Sequence, residues 1–249
     1  MNSFNFDIPD LITLYSQPYD AKMEQWRKLG AVDKGANIAK ICEPIYSEFC
    51  NVLEVGCGTG AVLEELAKRW ATPKFSGVEI GDSRSKSREW FEDRIVVCGY
   101  DGVTLPYGDS VFDFVYATHV LEHVTDERNF LRELRRVAKR YIFVEVPCEL
   151  HLRASYKNLQ PTLNIGHINA YTPESFVLTL ETSGLRVEQI GIFDHSYPFY
   201  RFGTSALRAT LKMAIRRFLL GLNETFASRI FTYHVGALCT KAPMLRSGD

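Results

Sequence analysis

Val52-Leu53-Glu54-Val55-Gly56-Cys57-Gly58-Thr59-Gly60 is an apolar run that passes directly into three glycines at alternate positions. Glycine adopts positive φ at little cost and lets a ligand approach where a Cβ would clash. Residues 61–70 then show apolar side chains at helical spacing, with two early glutamates suited to a helix N-terminus. The stretch therefore predicts a strand, a glycine turn and a helix, with a ligand site at the turn.

Two kinds of cofactor fit such a turn. Gly56-x-Gly58-x-x-Ala61 satisfies a loose dinucleotide fingerprint, and Glu79 follows about 20 residues later, where an acid would bind a ribose. The third glycine, Gly60, makes the pattern Gly-x-Gly-x-Gly instead, and Glu54 lies just before the turn. An NAD-linked oxidoreductase would leave Glu54 without a role. The flanking sequence must distinguish between the two kinds of cofactor.

A second block of sequence supplies that decision. Residues 101–113 read Asp-Gly-Val-Thr-Leu-Pro-Tyr-Gly-Asp-Ser-Val-Phe-Asp, and an apolar run ending near His119 follows them. Together with the glycine turn, this block resembles the class I S-adenosylmethionine (AdoMet)-dependent methyltransferases, in particular their type 11 branch. The resemblance is strong over residues 51–147. Several motifs in the family's order are more specific than a glycine turn alone.

The order of the chain's elements also indicates the fold class. From Asn51 onward, apolar runs alternate with helical patterns, which predicts an α/β fold with a parallel sheet. Tyr141 to Val146 is predicted as the fifth strand, and residues 185–193 and 231–240 as the sixth and seventh. The resemblance implies a Rossmann-like seven-stranded sheet, mostly parallel, with helices on both faces. It also implies an antiparallel last strand inserted between the fifth and the sixth.

We expect residues 1–249 to form a single methyltransferase domain with three parts. Residues 1–50 would form an N-terminal helical cap, with helices around 20–29 and 34–42. Residues 51–147 would bind AdoMet, and residues 148–249 would form the acceptor side. Asp82, Asp126 and the pair Thr172-Pro173 are predicted to begin helices.

The resemblance assigns site residues by position. The turn glycines would hold the methionine and ribose of AdoMet, Glu54 would support the turn or the ammonium group, and Glu79 would bind both ribose hydroxyls. Asp101 would accept from the adenine amino group while the Gly102 amide donates to the ring, and His119 would lie beside the methionine. The full predicted set is Glu54, Gly56, Cys57, Gly58, Gly60, Glu79, Ile80, Asp101, Gly102 and His119.

Each of these residues also has a purely structural interpretation. Asp101 is suited to capping a turn, Glu79 to pairing with an arginine, and Cys57 to filling space. Lys34, in the cap, either meets the AdoMet carboxylate or lies on a solvated helix face. For isolated acids the structural interpretation is the more common one. Their joint position at predicted strand ends favours the cofactor roles, because open α/β sheets bind ligands at the carboxyl edge.

Methyl transfer from a sulfonium needs mainly alignment of the acceptor, so a dedicated catalytic residue is not required. A hydroxyl acceptor would need a base, and imidazole suits that role near neutrality. His167 and His119 are the candidate catalytic bases. His167 lies in the polar and aromatic loop after the fifth strand, where this fold builds its acceptor pocket. Its alternative role is to hold the loop through hydrogen bonds.

One short motif suggests a metal site. His119-Val-Leu-Glu122-His123 matches the His-x-x-Glu-His pattern of some zinc proteases, with the two imidazoles one helical turn apart. No third ligand is evident from the sequence, and the cofactor motifs already account for the segment. We therefore expect no metal and a packing or helix-start role for His123.

Residues 204–222 have the pattern of a helical insertion. Arg208, Lys212, Arg216 and Arg217 are assigned to one side, and Leu207, Leu211, Ile215, Leu219 and Leu222 to another. A basic amphipathic helix of this kind either lies on an anionic membrane or covers the sheet. Both interpretations remain open, and a membrane contact would bring the enzyme to a lipid-linked acceptor.

Composition limits the partners and the cellular compartment. Because 29 Lys and Arg balance 30 Asp and Glu, the net charge of −1 gives no general attraction to nucleic acid. The six cysteines form no Cys-x-x-Cys pair, and the first residues lack signal-peptide runs, so we expect a cytoplasmic protein with reduced thiols. The expected function is methyl transfer from AdoMet to a small molecule or a glycan or lipid intermediate, with O-methylation preferred. A non-catalytic AdoMet-binding protein is the alternative, and an NAD(P)-dependent oxidoreductase a weaker one.

Overall fold

The computed structural model describes residues 21–80 and 94–243. Its strands are β1 (Asn51–Val55), β2 (Lys74–Ile80), β3 (Ile95–Tyr100), β4 (Phe112–Thr118), β5 (Ala138–Pro147), β6 (Leu185–Phe193) and β7 (His234–Lys241). Its helices are α1 (Ala21–Cys42), α2 (Ala61–Arg69), α3 (Glu127–Val137), α4 (Tyr156–Leu163), α5 (Pro173–Glu181), α6 (Tyr197–Arg201), α7 (Ala206–Leu222) and α8 (Glu224–Ile230). Short 3₁₀ turns span Tyr46–Glu48 and Leu121–His123. Among these described helices, none is both long and apolar enough to cross a membrane.

The seven strands form one sheet in the order β3-β2-β1-β4-β5-β7-β6. β7 is antiparallel to both of its neighbours, and the other described pairs are parallel. The predicted Rossmann-like sheet and its inserted last strand are therefore confirmed. Parallel strands of one sheet end at a common edge, so β1, β2, β4 and β5 bring their carboxyl ends together there. Because β7 runs the opposite way, its first residue lies at that edge as well.

The sheet is buried on both faces. One apolar cluster joins it to α3 and α5, and a second joins its other face to α1 and α2. Helix α3 shows how the sequence specifies such packing. Asp126 accepts a hydrogen bond from the Asn129 amide at 2.9 Å, as a helix cap, and Phe130, Leu134 and Val137 are buried along one stripe. Thr172 likewise caps α5, as predicted.

The N-terminal cap differs from the prediction. A single helix, α1, replaces the two helices expected around 20–29 and 34–42. Glycine weakens a helix, yet Gly30 and Gly35 both lie inside this one, so tertiary packing overrides propensity here. A Cβ on Gly35 would lie 3.0 Å from the Glu65 Cβ of α2, so this glycine allows close contact between the two helices. The predicted cap residue Asp82 lies outside the described residues.

Helix α7 lies within the predicted 204–222 segment, and the side that carries Arg216 faces the protein. The Arg216 side chain is only 7% exposed and pairs with Asp194 at 2.8 Å, under the Tyr233 ring. Arg216 shares a side of the helix with Lys212, as predicted, since both contact the Tyr200 ring, but Arg216 is buried against the protein. The ion pair draws Arg216 inward, and the opposite side of the helix, which carries Leu207, Leu211, Ile215, Phe218 and Leu222, is exposed.

Candidate active site

The glycine turn follows β1 at the carboxyl edge of the sheet. Gly56, Gly58 and Gly60 have φ of +76°, +53° and +78°, a conformation that other residues adopt at a cost. A Cβ on Gly56 would lie 2.4 Å from Val120 Cγ2, so the first glycine is also required for space. The turn thus has the backbone that its sequence predicts.

Cys57 packs beneath this turn. Its side chain is buried, and a Cβ on Gly77 of β2 would lie 2.8 Å from its sulfur. Burial raises the pKa of the Cys57 thiol well above its usual range, which keeps the thiol protonated. These properties suit a space-filling residue rather than a nucleophile.

Glu79 connects the end of β2 to the turn. The Gly58 amide donates to Glu79 Oε2 at 2.5 Å, and the Ile80 amide donates to Oε1 at 2.9 Å. Burial raises the pKa of Glu79, although both amides and the Arg27 charge oppose the shift. A Cβ on Gly58 would lie 2.8 Å from Arg27 Nη2. Helix α1 therefore extends over the turn, as expected for a cap.

A buried carboxyl lies below the turn, at Glu54. The Tyr116 hydroxyl donates to Glu54 Oε2 at 3.1 Å, and the side chain is excluded from solvent. Burial raises the pKa of Glu54 to about 8, against the opposing charge of Lys34. Burial also lowers the pKa of Lys34, which lies near Glu145 and Glu122 as well. Lys34 is therefore directed into the site and not onto a solvated helix face.

Asp101 follows β3 and is exposed. Its Oδ1 accepts from the Val103 and Thr104 amides at 2.8 and 2.7 Å, and these bonds lower the pKa of Asp101. This is the turn-capping arrangement. It fixes the direction of the carboxylate beside Gly102, whose φ of +81° again requires glycine.

A second group of polar side chains surrounds His119, just after β4. His119 has φ of +56°, which is unusual for a residue with a side chain. Its Nε2 lies 3.4 Å from Glu145 Oε1 of β5, and its Nδ1 lies 3.5 Å from Glu122 Oε1. His234, the first residue of β7, brings Nδ1 within 3.7 Å of Glu145 Oε1. Burial and the Lys34 charge hold the pKa of His119 well below its usual range.

Glu122, His123 and His167 form an adjacent cluster. His123 Nδ1 lies 2.9 Å from the Gly166 carbonyl, and His167 Nδ1 lies 3.1 Å from each oxygen of Glu149. Burial lowers the pKa of His123 to about 3 and raises that of Glu122 to about 7. Burial alone would lower the pKa of His167, but the nearby carboxylates of Glu149 and Glu122 outweigh burial, so the pKa is raised. His119 precedes the 3₁₀ turn, so the expected one-turn helical spacing of His119 and His123 is wrong.

Other site residues were not found from the sequence. Asn37 of α1 donates to Glu145 Oε2 at 2.9 Å, and His195 Nδ1 lies 3.3 Å from Asp33 Oδ2 of the same helix. The His195 and His234 rings are 4.5 Å apart. The one available signal was the antiparallel insertion of the last strand, which places the start of β7 at the carboxyl edge.

A cavity of about 190 Å³ opens beside His167, between α4 and the following loop, and is lined by Tyr156, Leu159 and Asn169 among others. A larger cavity of about 450 Å³ is lined by Lys139, Arg140 and Thr240 at the opposite edge of the sheet. The smaller cavity is therefore the one next to the polar clusters.

The comparison with known families agrees with this geometry. A family model described as "Methyltransferase domain" matches residues 15–190 of the 249. The chain belongs to the AdoMet-dependent methyltransferases. This membership confirms the resemblance seen in the sequence, and it leaves no support for an NAD(P)-linked oxidoreductase.

Named relatives are similar in sequence to part of this methyltransferase. Ajmaline N-methyltransferase of Rauvolfia serpentina is 29% identical over 119 residues, which is 45% of this chain and 40% of that protein. Demethylmenaquinone methyltransferase of Corynebacterium urealyticum is 36% identical over 88 residues, 35% of this chain and 36% of that protein. The chain thus spans well under half the length of these curated relatives.

Solved structures show the same fold. A SAM-dependent methyltransferase from Aquifex aeolicus has a TM-score of 0.56 at 16% identity, over 96% of this chain and 100% of that one. Geranyl diphosphate C-methyltransferase from Streptomyces coelicolor, solved with S-adenosylhomocysteine, has a TM-score of 0.57 at 14% identity, over 78% and 71% of the two chains.

The residues of this methyltransferase fit AdoMet, the cofactor of its family. The turn has no Cβ atoms at Gly56, Gly58 and Gly60, which leaves a backbone cradle, and an acid lies at the end of β2. Lys34 supplies a cation to this edge. The carboxylate, the ammonium group and the ribose of AdoMet would each lie near a residue able to bind them.

Proposed function

We propose that this methyltransferase transfers the methyl group of AdoMet to a small molecule or to a glycan or lipid intermediate. One observation carries the proposal: the glycine turn is hydrogen-bonded to Glu79 at the same sheet edge that holds the histidine and glutamate clusters. A cofactor site and a set of proton-accepting side chains thus lie side by side. The names of the N-methyltransferase and quinone-methyltransferase relatives support a small acceptor.

In this proposal the cofactor contacts follow the strand ends. Glu79 binds the ribose hydroxyls, and the turn glycines border the methionine. Glu54 lies near the ammonium group, and Asp101 with the Gly102 amide holds the adenine. When bound, AdoMet supplies an electrophilic methyl group, so the protein's main task is to align the acceptor. Helix α1 closes the site, in keeping with a single domain that has an N-terminal cap.

For the acceptor we favour a hydroxyl group, with His119 as the base. His119 is preferred on position, because it adjoins Val120, which packs against Gly56 of the glycine turn, and Glu145 would stabilise the imidazolium that forms. His167 is the second candidate. Its Nδ1 lies 3.1 Å from Glu149, which would stabilise an imidazolium there in the same way.

Calorimetric titration with S-adenosylhomocysteine tests the cofactor site, with NAD and NADP as controls. We expect saturable binding of S-adenosylhomocysteine alone, weakened at least tenfold in Asp101→Ala because the adenine loses an acceptor. NAD binding, or no binding by folded protein, would contradict the proposal. An acceptor screen with labelled AdoMet then separates an enzyme from a non-catalytic AdoMet-binding protein.

His119→Asn tests the base. With the acceptor identified, kcat should fall about 100-fold or more while the affinity for S-adenosylhomocysteine stays within a few-fold. His167→Asn is the matched variant. A larger loss of kcat in His167→Asn than in His119→Asn would transfer the role to His167.

We further propose that α7 lies on an anionic membrane surface. Its outward side chains, Leu207, Leu211, Ile215, Phe218 and Leu222, are 46% to 80% exposed. Arg208, Lys212 and Arg217 flank this stripe, and α7 contains no acidic residue. An exposed apolar stripe on a helix whose charged residues are all cations matches the chemistry of an anionic lipid surface. The acceptor would then be a lipid-linked intermediate.

A further inference from the structure

A cluster of possible metal ligands joins the 3₁₀ turn after β4 to the loop after α4. Glu122, His123 and His167 each present one ligand atom, and these atoms all lie within 4.8 Å of one another. Two imidazoles and one carboxylate are the donor set of many first-row transition-metal sites. The loop after α4 brings His167 beside two residues of the His-x-x-Glu-His segment, a proximity that the sequence pattern does not show.

The state of Glu122 is the first argument for a cation. Its side chain is fully buried, and neither carboxylate oxygen has a hydrogen-bond partner among the described residues. His119 Nδ1 lies 3.5 Å from Glu122 Oε1, beyond a normal hydrogen bond, and the Lys34 charge acts on Glu122 only through space. A buried carboxylate without partners is costly. A bound cation would satisfy both oxygens at once.

The two histidine rings are oriented as ligands. A carbonyl oxygen only accepts hydrogen bonds, so His123 Nδ1, which contacts Gly166 O, carries the ring proton. His167 Nδ1 donates to Glu149 in the same way. In the neutral form of each ring the lone pair is then on Nε2, so metal binding would compete with protonation of His167. A histidine that ligates a metal usually donates its other nitrogen to a carbonyl or carboxylate, which is the arrangement found at both rings.

The backbone holds the three residues together. The amides of Ile168 and Asn169 donate to the Glu122 carbonyl at 2.9 and 3.0 Å, so the loop carrying His167 is anchored to Glu122. Asn169 also donates through its side chain to the Leu121 and Val124 carbonyls. The cluster is therefore built by several specific contacts and does not depend on flexible surface side chains.

The neighbouring cluster of His119, Glu145 and His234 is the weaker candidate. Both of its imidazoles direct a nitrogen at the same oxygen, Glu145 Oε1, and Asn37 occupies the other oxygen. Glu145 Oε2 is therefore satisfied by Asn37, and only Oε1 has no partner at hydrogen-bonding distance among the described residues. Neither oxygen of Glu122 has such a partner within the same part of the chain, which favours its cluster as the metal site.

We propose that Glu122, His123 and His167 bind one divalent transition-metal ion of the zinc class. Three protein ligands leave a coordination position open, and the cavity beside His167 gives an oxygen-bearing molecule access to it. In this arrangement His167 is a ligand, which leaves His119 as the base. Metal binding requires neither AdoMet nor an acceptor, so its test is independent of the proposed methyl transfer.

Untagged wild-type protein, freed of metal by chelation, is titrated with Zn²⁺ by calorimetry and with Co²⁺ as a spectroscopic probe. We expect one ion per chain and visible Co²⁺ bands typical of four or five nitrogen and oxygen ligands. Weak bands of six-coordinate cobalt would overturn the proposal. So would near-ultraviolet thiolate-to-cobalt bands, because they indicate cysteine ligation. The wild-type spectrum decides the question even where a variant fails to fold.

Variants then locate the ion. Glu122→Gln and His167→Asn should each weaken Zn²⁺ binding at least 100-fold, and Glu149→Gln about 10–100-fold, because it removes the group that orients His167. His151→Asn is the matched control outside the cluster and should bind like the wild type. Binding that is insensitive to Glu122→Gln, or that is lost only in Glu145→Gln, would overturn the assignment.

Discussion

The two ends of the carboxyl edge are built in different ways. At β1 and β2 the backbone makes the site, through glycines with positive φ and amides that donate to Glu79. At β4, β5 and β7 side chains make the site, because His119, Glu145 and His234 meet from distant parts of the sequence. We call them the cofactor end and the acceptor end, after the roles proposed for them. The first is defined by backbone conformation and the second by buried polar side chains.

This difference determines what a substitution does at each end. A backbone site fails when a side chain is added, and the damage is steric. A side-chain site fails when one partner of a buried polar pair is removed, and the damage is electrostatic. The predictions below test that distinction with free energies of unfolding.

The largest effect is expected at the cofactor end, from Gly56→Ala. The φ of +76° and the 2.4 Å contact with Val120 Cγ2 together should lower the free energy of unfolding by about 3–5 kcal/mol. Gly203→Ala is a matched control, since Gly203 has φ of +72° but nothing within 4 Å. It should cost only about 1 kcal/mol. Urea unfolding measures both.

Val120→Ala separates the two causes at Gly56. If steric contact dominates, the double variant Gly56→Ala/Val120→Ala should be more stable than the sum of the two single effects predicts. Strict additivity would mean that φ alone is responsible. The turn would then be less dependent on close packing than the structure indicates.

At the acceptor end, Arg216→Met should lower the free energy of unfolding by about 3 kcal/mol, because it leaves Asp194 buried without its cation. Replacing both residues, as Arg216→Met/Asp194→Asn, should restore part of that loss. Equal stability of the single and double variants would show that the burial of Asp194 is not the source of the cost. Chemical denaturation at neutral pH provides the comparison.

Glu54 should make stability depend on pH. Its pKa is raised to about 8 from 4.5, so the native state prefers the protonated carboxyl. The stabilisation from the protonated Glu54 should therefore be fully present below about pH 4.5 and be lost as pH rises through 8. Glu54→Gln keeps an oxygen for Tyr116 and should flatten this dependence. Parallel pH profiles of the wild type and Glu54→Gln would contradict the assignment.

The smallest effect on stability is expected on α7. Leu211→Gln and Phe218→Gln replace exposed side chains and should change the free energy of unfolding by less than about 0.5 kcal/mol. The fraction of protein that floats with vesicles containing anionic lipid should nevertheless fall sharply when both substitutions are combined. Thr210→Gln, elsewhere on the same helix, is the control. Wild-type protein that does not float at low salt would contradict the membrane proposal.

The sequence predicts the cofactor end well because the required signal is local. A strand, three glycines and a helix occupy one continuous stretch, and the hydrogen bond from Gly58 to Glu79 follows from adjacent parallel strands. The strand order and the caps at Asp126 and Thr172 were also predictable, since each depends on a short pattern or on the family resemblance.

The acceptor end was predicted less well because its contacts are not local. Nothing near His167 in the sequence indicates Glu122, and nothing near Arg216 indicates Asp194. The amphipathic pattern of α7 was recognised, but the pattern does not say which side faces the protein. Likewise, α1 is continuous because it packs against α2, and helix propensity carries no information about that packing.

The insertion of β7 between β5 and β6 also affects how the chain acquires its structure during synthesis. β6 leaves the ribosome before the strand that joins it to the sheet, so β5 and β6 both present open edges until residues 234–241 have emerged. Unpaired strand edges are the sites where nascent chains associate wrongly. The cofactor end can close early in translation, whereas the acceptor end, which receives His234, is completed only after β7 emerges.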